Sequence, residues 1–254
     1  MDVLVLLKQV PDTETTIKID SNRINESGIK WIISPYDEVA LEEAIRTKEK
    51  SAGTVTVISV GPARVASSIR TAYAMGADHG IHILAENYEM LDASAISEAL
   101  IKATSDKNYD LVLAGRQGID SDSGLIPLMY AEKKGMAAII WAKSIELDGD
   151  NVKAVVEAEG GEATYEAKLP VLITTQIGMN EPRYPSLKGI MASKKTPVET
   201  KNIDELGVSF SDHIEILGFE MPPARPAGRF IEGDETPAKA KELVKALHEE
   251  AKVI

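Results

Sequence analysis

Short apolar runs alternate with segments of helical periodicity from residue 2 to residue 174. The runs near residues 2, 54, 80, 110 and 170 are rich in Val, Leu and Ile, as expected of strands that are covered on both faces. The segment Ser34-Pro35-Tyr36-Asp37 has the sequence of a helix start, with Ser34 as the N-cap. This order predicts an α/β fold with a doubly wound, mostly parallel sheet and right-handed crossovers, in which the first run is the central strand.

The pattern changes after residue 142. Residues 143–147, 152–157 and 164–168 alternate between apolar and polar positions, which predicts an antiparallel extension at the edge of the sheet. A last amphipathic helix is expected from about Thr236, after a proline-rich stretch. We therefore expect an α/β nucleotide-binding domain at residues 1–220, including a loop at 178–195, and a C-terminal arm plus helix at 221–254 that packs on another molecule.

Composition narrows the classes of function. A net charge of −12 argues against a nucleic-acid partner, because contacts to a phosphate backbone need a basic surface. The sequence has no cysteine and its four histidines are scattered, so it predicts neither a disulfide nor a metal site. No apolar run is long enough to cross a membrane, and the N-terminal run is too short for a signal peptide, from which we expect a cytoplasmic location without membrane insertion.

The candidate binding element is the glycine-rich stretch after the run near residue 110. Gly115, Gly118 and Gly124, with Asp and Ser between them, precede a helical pattern that begins at Leu125. Ligands of open α/β sheets bind beyond the carboxyl ends of strands, and free N–H groups at a helix start suit a nucleotide phosphate. An ordinary strand-to-helix turn explains the same residues about equally well, because the loop matches neither standard phosphate-binding fingerprint.

No set of catalytic side chains emerges from the sequence. The carboxylates are spread along helices, as on a solvated face, and we expect no enzyme activity from this chain alone. Residues 180–187 combine two prolines with an Arg, a Tyr and a Leu, residue types suited to a docking loop. Composition alone favours the alternative of a rigid surface turn with Tyr184 and Leu187 folded inward.

Several motifs together resemble the small (beta) subunit of electron transfer flavoproteins, over nearly the whole chain. They include Ser34-Pro35 with Glu42-Glu43-Ala44, residues 60–63 and 110–120, and residues 180–184 with Leu187. The resemblance implies an adenine-nucleotide alpha hydrolase-like sheet and a heterodimer with a larger alpha subunit that holds a redox FAD. It implies electron uptake from flavoenzymes of the acyl-CoA dehydrogenase type and delivery to a downstream redox partner or quinone oxidoreductase. It also implies a structural AMP in the beta subunit, or a second FAD in flavin-bifurcating members.

The resemblance also assigns candidate site residues. The implied nucleotide site consists of Leu6, Lys8, Ser34, Asp37, Val60, Gly61, Gly115, Arg116, Gln117, Gly118, Ile119, Asp120, Ser121, Asp122, Ser123, Gly124, Leu125 and Ile126. The implied partner-binding residues are Pro182, Arg183, Tyr184 and Leu187, with Leu187 as the anchor.

The chain departs from the family at the end of the phosphate loop. The usual Asn-Gln-Thr-Gly is replaced by Gly-Leu-Ile-Pro at residues 124–127, which leaves the phosphate to backbone N–H groups, Ser121 and Ser123. The ending typical of bifurcating members is also absent, and AMP is favoured over a second FAD. From another class, the alternative is a stand-alone adenine-nucleotide-binding regulator or a weak ATP hydrolase. Asp120 and Asp122 keep this alternative open, although the sequence lacks a P-loop lysine.

Overall fold

The computed structural model describes residues 1–208, 214–225, 227–233 and 235–254. One unit comprises residues 1–18 and 24–217, and a second comprises residues 19–23 and 218–254. In chain order the strands are β1 (Asp2–Leu6), β2 (Gln9–Pro11), β3 (Ile19–Asp20), β4 (Arg23–Ile24), β5 (Trp31–Ile33), β6 (Thr54–Gly61), β7 (His79–Leu84), β8 (Leu111–Gly115), β9 (Ala137–Asp148), β10 (Asn151–Ala158), β11 (Gly161–Lys168), β12 (Val171–Thr175) and β13 (Glu199–Asn202). The helices are α1 (Pro35–Ser51), α2 (Ala66–Met75), α3 (Ala93–Ala103), α4 (Leu125–Lys134), α5 (Leu187–Ser193) and α6 (Thr236–Lys245).

Nine strands of the first unit form one sheet, in the order β11-β10-β9-β12-β8-β1-β6-β7-β13. The seven strands from β9 to β13 pair in parallel, and β1 lies in the middle of these seven. Leu4 of β1 lies opposite Thr56 of β6 and Val112 of β8. The predicted α/β fold class and the central position of the first strand are therefore confirmed.

Helices cover both faces of this sheet. Val3 and Val5 point into a core layer that includes residues of α1 and α2. Leu4 and Leu6 point into a second layer that includes residues of α3 and α4. Because successive side chains of a strand alternate between faces, a strand with helices on both sides has to be apolar at every position. This requirement is why the run at the start of the chain shows no polar alternation.

The edges of the sheet differ from the prediction. The antiparallel extension of β9, β10 and β11 is present, but β9 begins at Ala137 and its first half pairs in parallel with β12. The opposite edge strand, β13, was not predicted from the sequence. Its residues, Glu-Thr-Lys-Asn, carry no apolar pattern, because an edge strand is fixed by backbone hydrogen bonds to a single neighbour, here β7.

The second unit contains α6, which confirms the helix expected from Thr236, followed by a π-helical turn, Ala246–Glu250. Arg229 forms an ion pair with Glu250 at 2.8 Å, and the backbone N–H of Phe219 donates to the carbonyl of Asn22. Leu243 and Val244 of α6 are exposed. That this segment packs on another molecule stays a prediction. Across the described ranges, the helices are all too short or too polar to cross a membrane.

Candidate functional site

The carboxyl ends of β1, β6 and β8 open into one cleft with about 870 Å³ of empty space, part of it continuous with solvent. Small-molecule sites are typically concave and mostly apolar with a few polar groups, as this cleft is. The residues of the predicted nucleotide site that line it are Leu6, Lys8, Asp37, Val60, Gly115, Gln117, Gly118, Ser121, Ser123, Gly124, Leu125 and Ile126. The structure therefore brings together three strand ends and the glycine-rich loop, at the place where open α/β sheets bind ligands.

Asp37 fastens two of these strand ends to each other. Its buried carboxylate accepts the N–H of Lys8, beyond β1, at 2.7 Å and the N–H of Gly115, at the end of β8, at 2.8 Å. Burial raises the pKa of Asp37 to about 7, although the two N–H donors act in the opposite direction. Position 115 needs glycine, because a Cβ there would lie 2.5 Å from the Oδ1 atom of Asp37 and from the Cβ of Tyr36.

The two aspartates of the glycine-rich loop have partners nearby. The Nζ atom of Lys8 lies 2.7 Å from Asp120 and 3.4 Å from the hydroxyl of Ser121. Gln117 donates to Asp122 at 2.8 Å. Both aspartates thus have partners within or beside the loop.

The start of α4 can receive an anion. Gly124 is its N-cap, in the left-handed conformation with φ of 59°. Because glycine has no side chain, this residue cannot itself cap the first N–H groups of the helix. Leu125 and Ile126, the first residues of the helix, line the cleft. The first N–H groups of a helix have no partner within the helix and carry its positive dipole end. This end of the cleft therefore matches a phosphate held by backbone groups.

Sequence reasoning missed the apolar wall of the cleft. It is formed by side chains from β6, its following turn and α3, namely Ile58, Pro62, Val65, Ile96 and Leu100. Ile96 and Leu100 are four positions apart on α3 and therefore share one side of that helix. Their spacing was visible in the sequence, but the placement of α3 above these strand ends was not.

Arg64 is a second cation at the cleft that the sequence did not single out. Its guanidinium stacks on the ring of Trp31, 3.5 Å from the centroid, and donates to Gln9 at 2.8 Å and to the hydroxyl of Tyr88 at 2.9 Å. Glu26 pairs with it at 2.9 Å. Four partners hold this side chain in place at the cleft.

The other predicted nucleotide-site residues lie outside the cleft lining; these are Ser34, Gly61, Arg116, Ile119, Asp120 and Asp122. The guanidinium of Arg116 stacks on Trp141, 4.2 Å from the ring centroid. Ser34 directly precedes α1, as predicted, but within the described chain its hydroxyl does not cap the helix and instead contacts the carbonyl of Gln117 at 3.5 Å. Ser34 is therefore the N-cap residue of α1, as predicted, but its side chain makes no capping hydrogen bond among the described residues.

The segment at residues 178–195, hereafter the docking loop after its predicted role, presents several large apolar side chains to solvent, of which Tyr184 and Leu187 are the most exposed. Tyr184 is 94% exposed and Leu187 is 79% exposed. The alternative in which both fold inward is therefore wrong. Pro182 is half-buried, and the guanidinium of Arg183 turns back to Glu42 and Glu49 of α1.

Helix α5, which begins at Leu187, packs closely on α2. A Cβ at Gly189 would lie 2.3 Å from the carbonyl oxygen of Ala74, and Arg70 donates to the carbonyl of Ser193 at 2.8 Å. The hydroxyl of Ser186 caps α5 by accepting the N–H of Gly189. The exposed side chain of Leu187 thus begins a helix whose body is fixed to the core.

The chain is similar to known proteins along its whole length. The family model of the electron transfer flavoprotein domain matches residues 21–206. The electron transfer flavoprotein subunit beta of Bacillus subtilis is 39% identical over 258 aligned positions that cover both chains completely. The subunit beta of Syntrophomonas wolfei is 40% identical, over all of this chain and 98% of the relative, and that of Homo sapiens is 37% identical, over 95% and 97%. The chain belongs to the family of electron transfer flavoprotein beta subunits.

Proposed function

We propose that this protein is the small subunit of a heterodimeric electron transfer flavoprotein. It accepts electrons from flavin dehydrogenases of the acyl-CoA dehydrogenase type and passes them to a downstream redox partner or quinone oxidoreductase. The observation that carries the proposal is similarity to beta subunits along the whole chain, at 39% identity to the Bacillus subtilis protein. The exposed Tyr184 and Leu187 support it, because a carrier that meets several partners needs a docking surface.

On this proposal the chain is a carrier subunit and supplies no catalytic residue. FAD, held by the larger alpha subunit, supplies the reversible uptake and release of electrons. The beta subunit covers one side of that flavin, and residues 221–254 pack on the alpha subunit. We place the complex in the cytoplasm. Leu243 and Val244 are apolar side chains of α6 available for such packing.

We further propose that the cleft holds AMP as a structural ligand. The apolar wall that includes Ile58, Ile96 and Leu100 suits an adenine ring. The N–H groups at the start of α4 suit its phosphate, whereas those of Ser121 and Asp122 already donate to the carbonyl of Gly118. Because Asp120 neutralises Lys8, the phosphate end offers oriented N–H dipoles with little excess positive charge. This balance favours a single phosphate over a triphosphate.

Extraction of the bound nucleotides tests the proposal. Acid treatment of the purified heterodimer should release one AMP and one FAD per complex. Two FAD molecules and no AMP would identify the bifurcating type, in which a second FAD takes the cleft. A colourless monomer that hydrolyses ATP would contradict the carrier function and support the stand-alone alternative.

A further inference from the structure

The base of the docking loop is fastened to one side of α1. The side-chain amide of Asn180 donates to the carbonyl of Val39 and to the carboxylate of Glu43, both at 3.1 Å. Arg46 donates to the carbonyl of Glu181 at 3.3 Å. Residues 135 to 141 positions apart in sequence therefore form one joint between helix α1 and the loop.

Glu42 is the centre of this joint. Its side chain is 3% exposed, and its Oε2 atom accepts the backbone N–H of Arg183 at 3.1 Å and the Nε of Arg183 at 2.8 Å. Its Oε1 atom accepts Nη2 of Arg183 at 3.1 Å and Nε of Arg46 at 2.7 Å. Burial raises the pKa of Glu42, but the hydrogen bonds from the two arginines outweigh burial and the pKa is lowered. The carboxylate is therefore charged and accepts four hydrogen bonds.

Arg183 is held from its other side by Glu49. The distances from Nη1 and Nη2 to the two carboxylate oxygens of Glu49 are 2.6 and 3.2 Å. A guanidinium bound by two carboxylates in fork geometry has little freedom to rotate. Because Glu42 also binds the N–H of Arg183, both the backbone and the side chain of this residue are fixed.

This joint lies directly beneath the exposed part of the loop. Tyr184 is the next residue in the chain and Leu187 follows three positions later, and both project into solvent. A buried ion pair is weak evidence for stability as such, because well-packed apolar residues often stabilise a fold as much. The hydrogen bonds between Glu42 and Arg183 do, however, select one geometry of the chain at residue 183. The location of Glu42 thus indicates that it fixes the direction of the chain at the base of the docking loop, in addition to any contribution to stability.

We infer that Glu42 is a positioning residue for partner recognition. By fixing the backbone at Arg183, it sets the direction in which Tyr184 and Leu187 leave the fold before any partner is present. A loop that is ordered in advance does not have to be ordered on binding, so the partner associates more readily. The inference rests on the proposed docking function of this loop.

The substitution Glu42→Gln in the full heterodimer tests the inference. It keeps the shape of the side chain but removes the charge and turns an amide N–H₂ toward the arginine donors. In assays of the partner dehydrogenase with the heterodimer as electron acceptor, we expect the KM for the heterodimer, hereafter the KM for the partner, to rise about tenfold. This is the order expected when two side chains must be ordered on binding. The kcat and the FAD content should stay unchanged. Arg183→Lys, which keeps the charge but loses the fork, should act in the same way.

A matched control exists on the opposite face of the sheet. Glu98 of α3 pairs with Lys102 at 2.7 Å, so Glu98→Gln makes the same chemical change and breaks one ion pair away from the loop. We expect Glu98→Gln to leave the KM unchanged. A comparable rise in KM with Glu98→Gln would show a general effect of lost ion pairs and would overturn the inference.

A double-mutant cycle separates positioning from a merely structural role. If Glu42 acts through the exposed loop, Glu42→Gln should raise the KM little further in a Leu187→Ala background. Backbone hydrogen exchange at residues 180–187 should become faster in Glu42→Gln and stay unchanged in Glu98→Gln. Additive effects on the KM, or unchanged exchange, would overturn the role of Glu42. If Leu187→Ala alone leaves the KM unchanged, the docking function of the loop fails; if Leu187→Ala raises it and Glu42→Gln does not, the positioning role fails.

Discussion

Two loops that follow neighbouring strands of the sheet use their polar groups in opposite ways. The loop after β8 pairs its polar groups among themselves and with a neighbour beside the cleft, Lys8 with Asp120 and Gln117 with Asp122. The docking loop after β12 is fixed at its base, and its large side chains point into solvent. The first arrangement borders an open cleft and the second an external surface. Under the proposed function, adjacent strand ends of one sheet serve a bound ligand and a protein partner separately.

Both loops are fixed by a buried carboxylate of α1, and the two carboxylates differ in their partners. Asp37 accepts two backbone N–H groups, whereas Glu42 is bound by two arginines. The pKa of Asp37 is raised to about 7, and that of Glu42 is lowered. Two N–H dipoles do not offset the desolvation of a carboxylate, while two guanidinium groups do. The pH dependence of stability should separate the two sites.

The largest expected effect is the pH response of Asp37. The folded state binds its proton more tightly than the unfolded chain, in which the pKa is near 3.8. Its contribution to stability is therefore fully present below about pH 4 and is lost as the pH rises to about 7, a loss of roughly 4 kcal/mol at 1.36 kcal/mol per pKa unit. Denaturant unfolding of wild type and Asp37→Asn across this range measures the difference. Equal pH slopes for the two proteins would contradict the raised pKa.

Glu42 should respond in the opposite direction. Its lowered pKa means that its contribution to stability is present at neutral pH and is lost as the pH falls through the pKa of the folded state. Comparison of wild type with Glu42→Gln in the same experiment therefore should give a slope of opposite sign to that of Asp37→Asn. Slopes of the same sign would contradict the opposite pKa shifts of Asp37 and Glu42.

Gly115→Ala should damage the cleft and leave the docking loop intact. The added Cβ would meet Asp37 and Tyr36 at 2.5 Å, and relieving such crowding costs roughly 1–3 kcal/mol of unfolding free energy. We also expect loss of the bound AMP in the extraction assay, with an unchanged KM for the partner. Gly161→Ala is the control, because within the described residues its Cβ would have no neighbour inside 4 Å. Retained AMP in Gly115→Ala would show that nucleotide binding does not depend on the close contact between Asp37 and Gly115.

Leu187→Ala should have the converse result. Burying a leucine side chain against a partner contributes roughly 1.5–3 kcal/mol, so electron transfer from the partner should slow by about tenfold or more. The Tm and the AMP and FAD contents should stay near the wild-type values, since the side chain is exposed. Leu217→Ala removes a side chain that is 85% exposed and lies outside the loop, and it should leave the transfer rate unchanged. A lower Tm with normal transfer would assign Leu187 to the core.

The smallest effect is expected for Glu49→Gln. Glu49 binds the outer side of Arg183 but is itself largely exposed, and its lowered pKa comes chiefly from that hydrogen bond. Exposed ion pairs typically contribute at most about 1 kcal/mol. The KM for the partner should therefore rise about fivefold or less. An effect as large as that of Glu42→Gln would show that the exposed Glu49 holds Arg183 in place as strongly as Glu42 does.

The sequence predicted those parts of the fold that local patterns specify. The runs that became β1, β6 and β8 are apolar at nearly every position because both of their faces are covered. The edge strand β13 is held by backbone bonds to β7, so its side chains leave no such pattern. Periodicity therefore identified the buried strands and missed this edge.

For the candidate site, the sequence indicated residues but not their contacts. The family resemblance grouped Asp37 with the glycine-rich loop, yet its hydrogen bond to Gly115 spans 78 residues. Arg183 was assigned to the partner surface, but its side chain binds Glu42, 141 residues away. Contacts over such separations depend on the packing of α1 against the sheet, and no local pattern encodes them.

The shared use of α1 has a consequence for protein engineering. Asp37 and Glu42 are five residues apart, which places them about 140° apart around the helix axis, so each faces its own loop. Any substitution that tilts or rotates α1 should therefore disturb both the cleft and the docking loop. Under the proposed function, redirecting this protein to a new partner calls for keeping α1 unchanged and varying the solvent-facing positions 184 and 187.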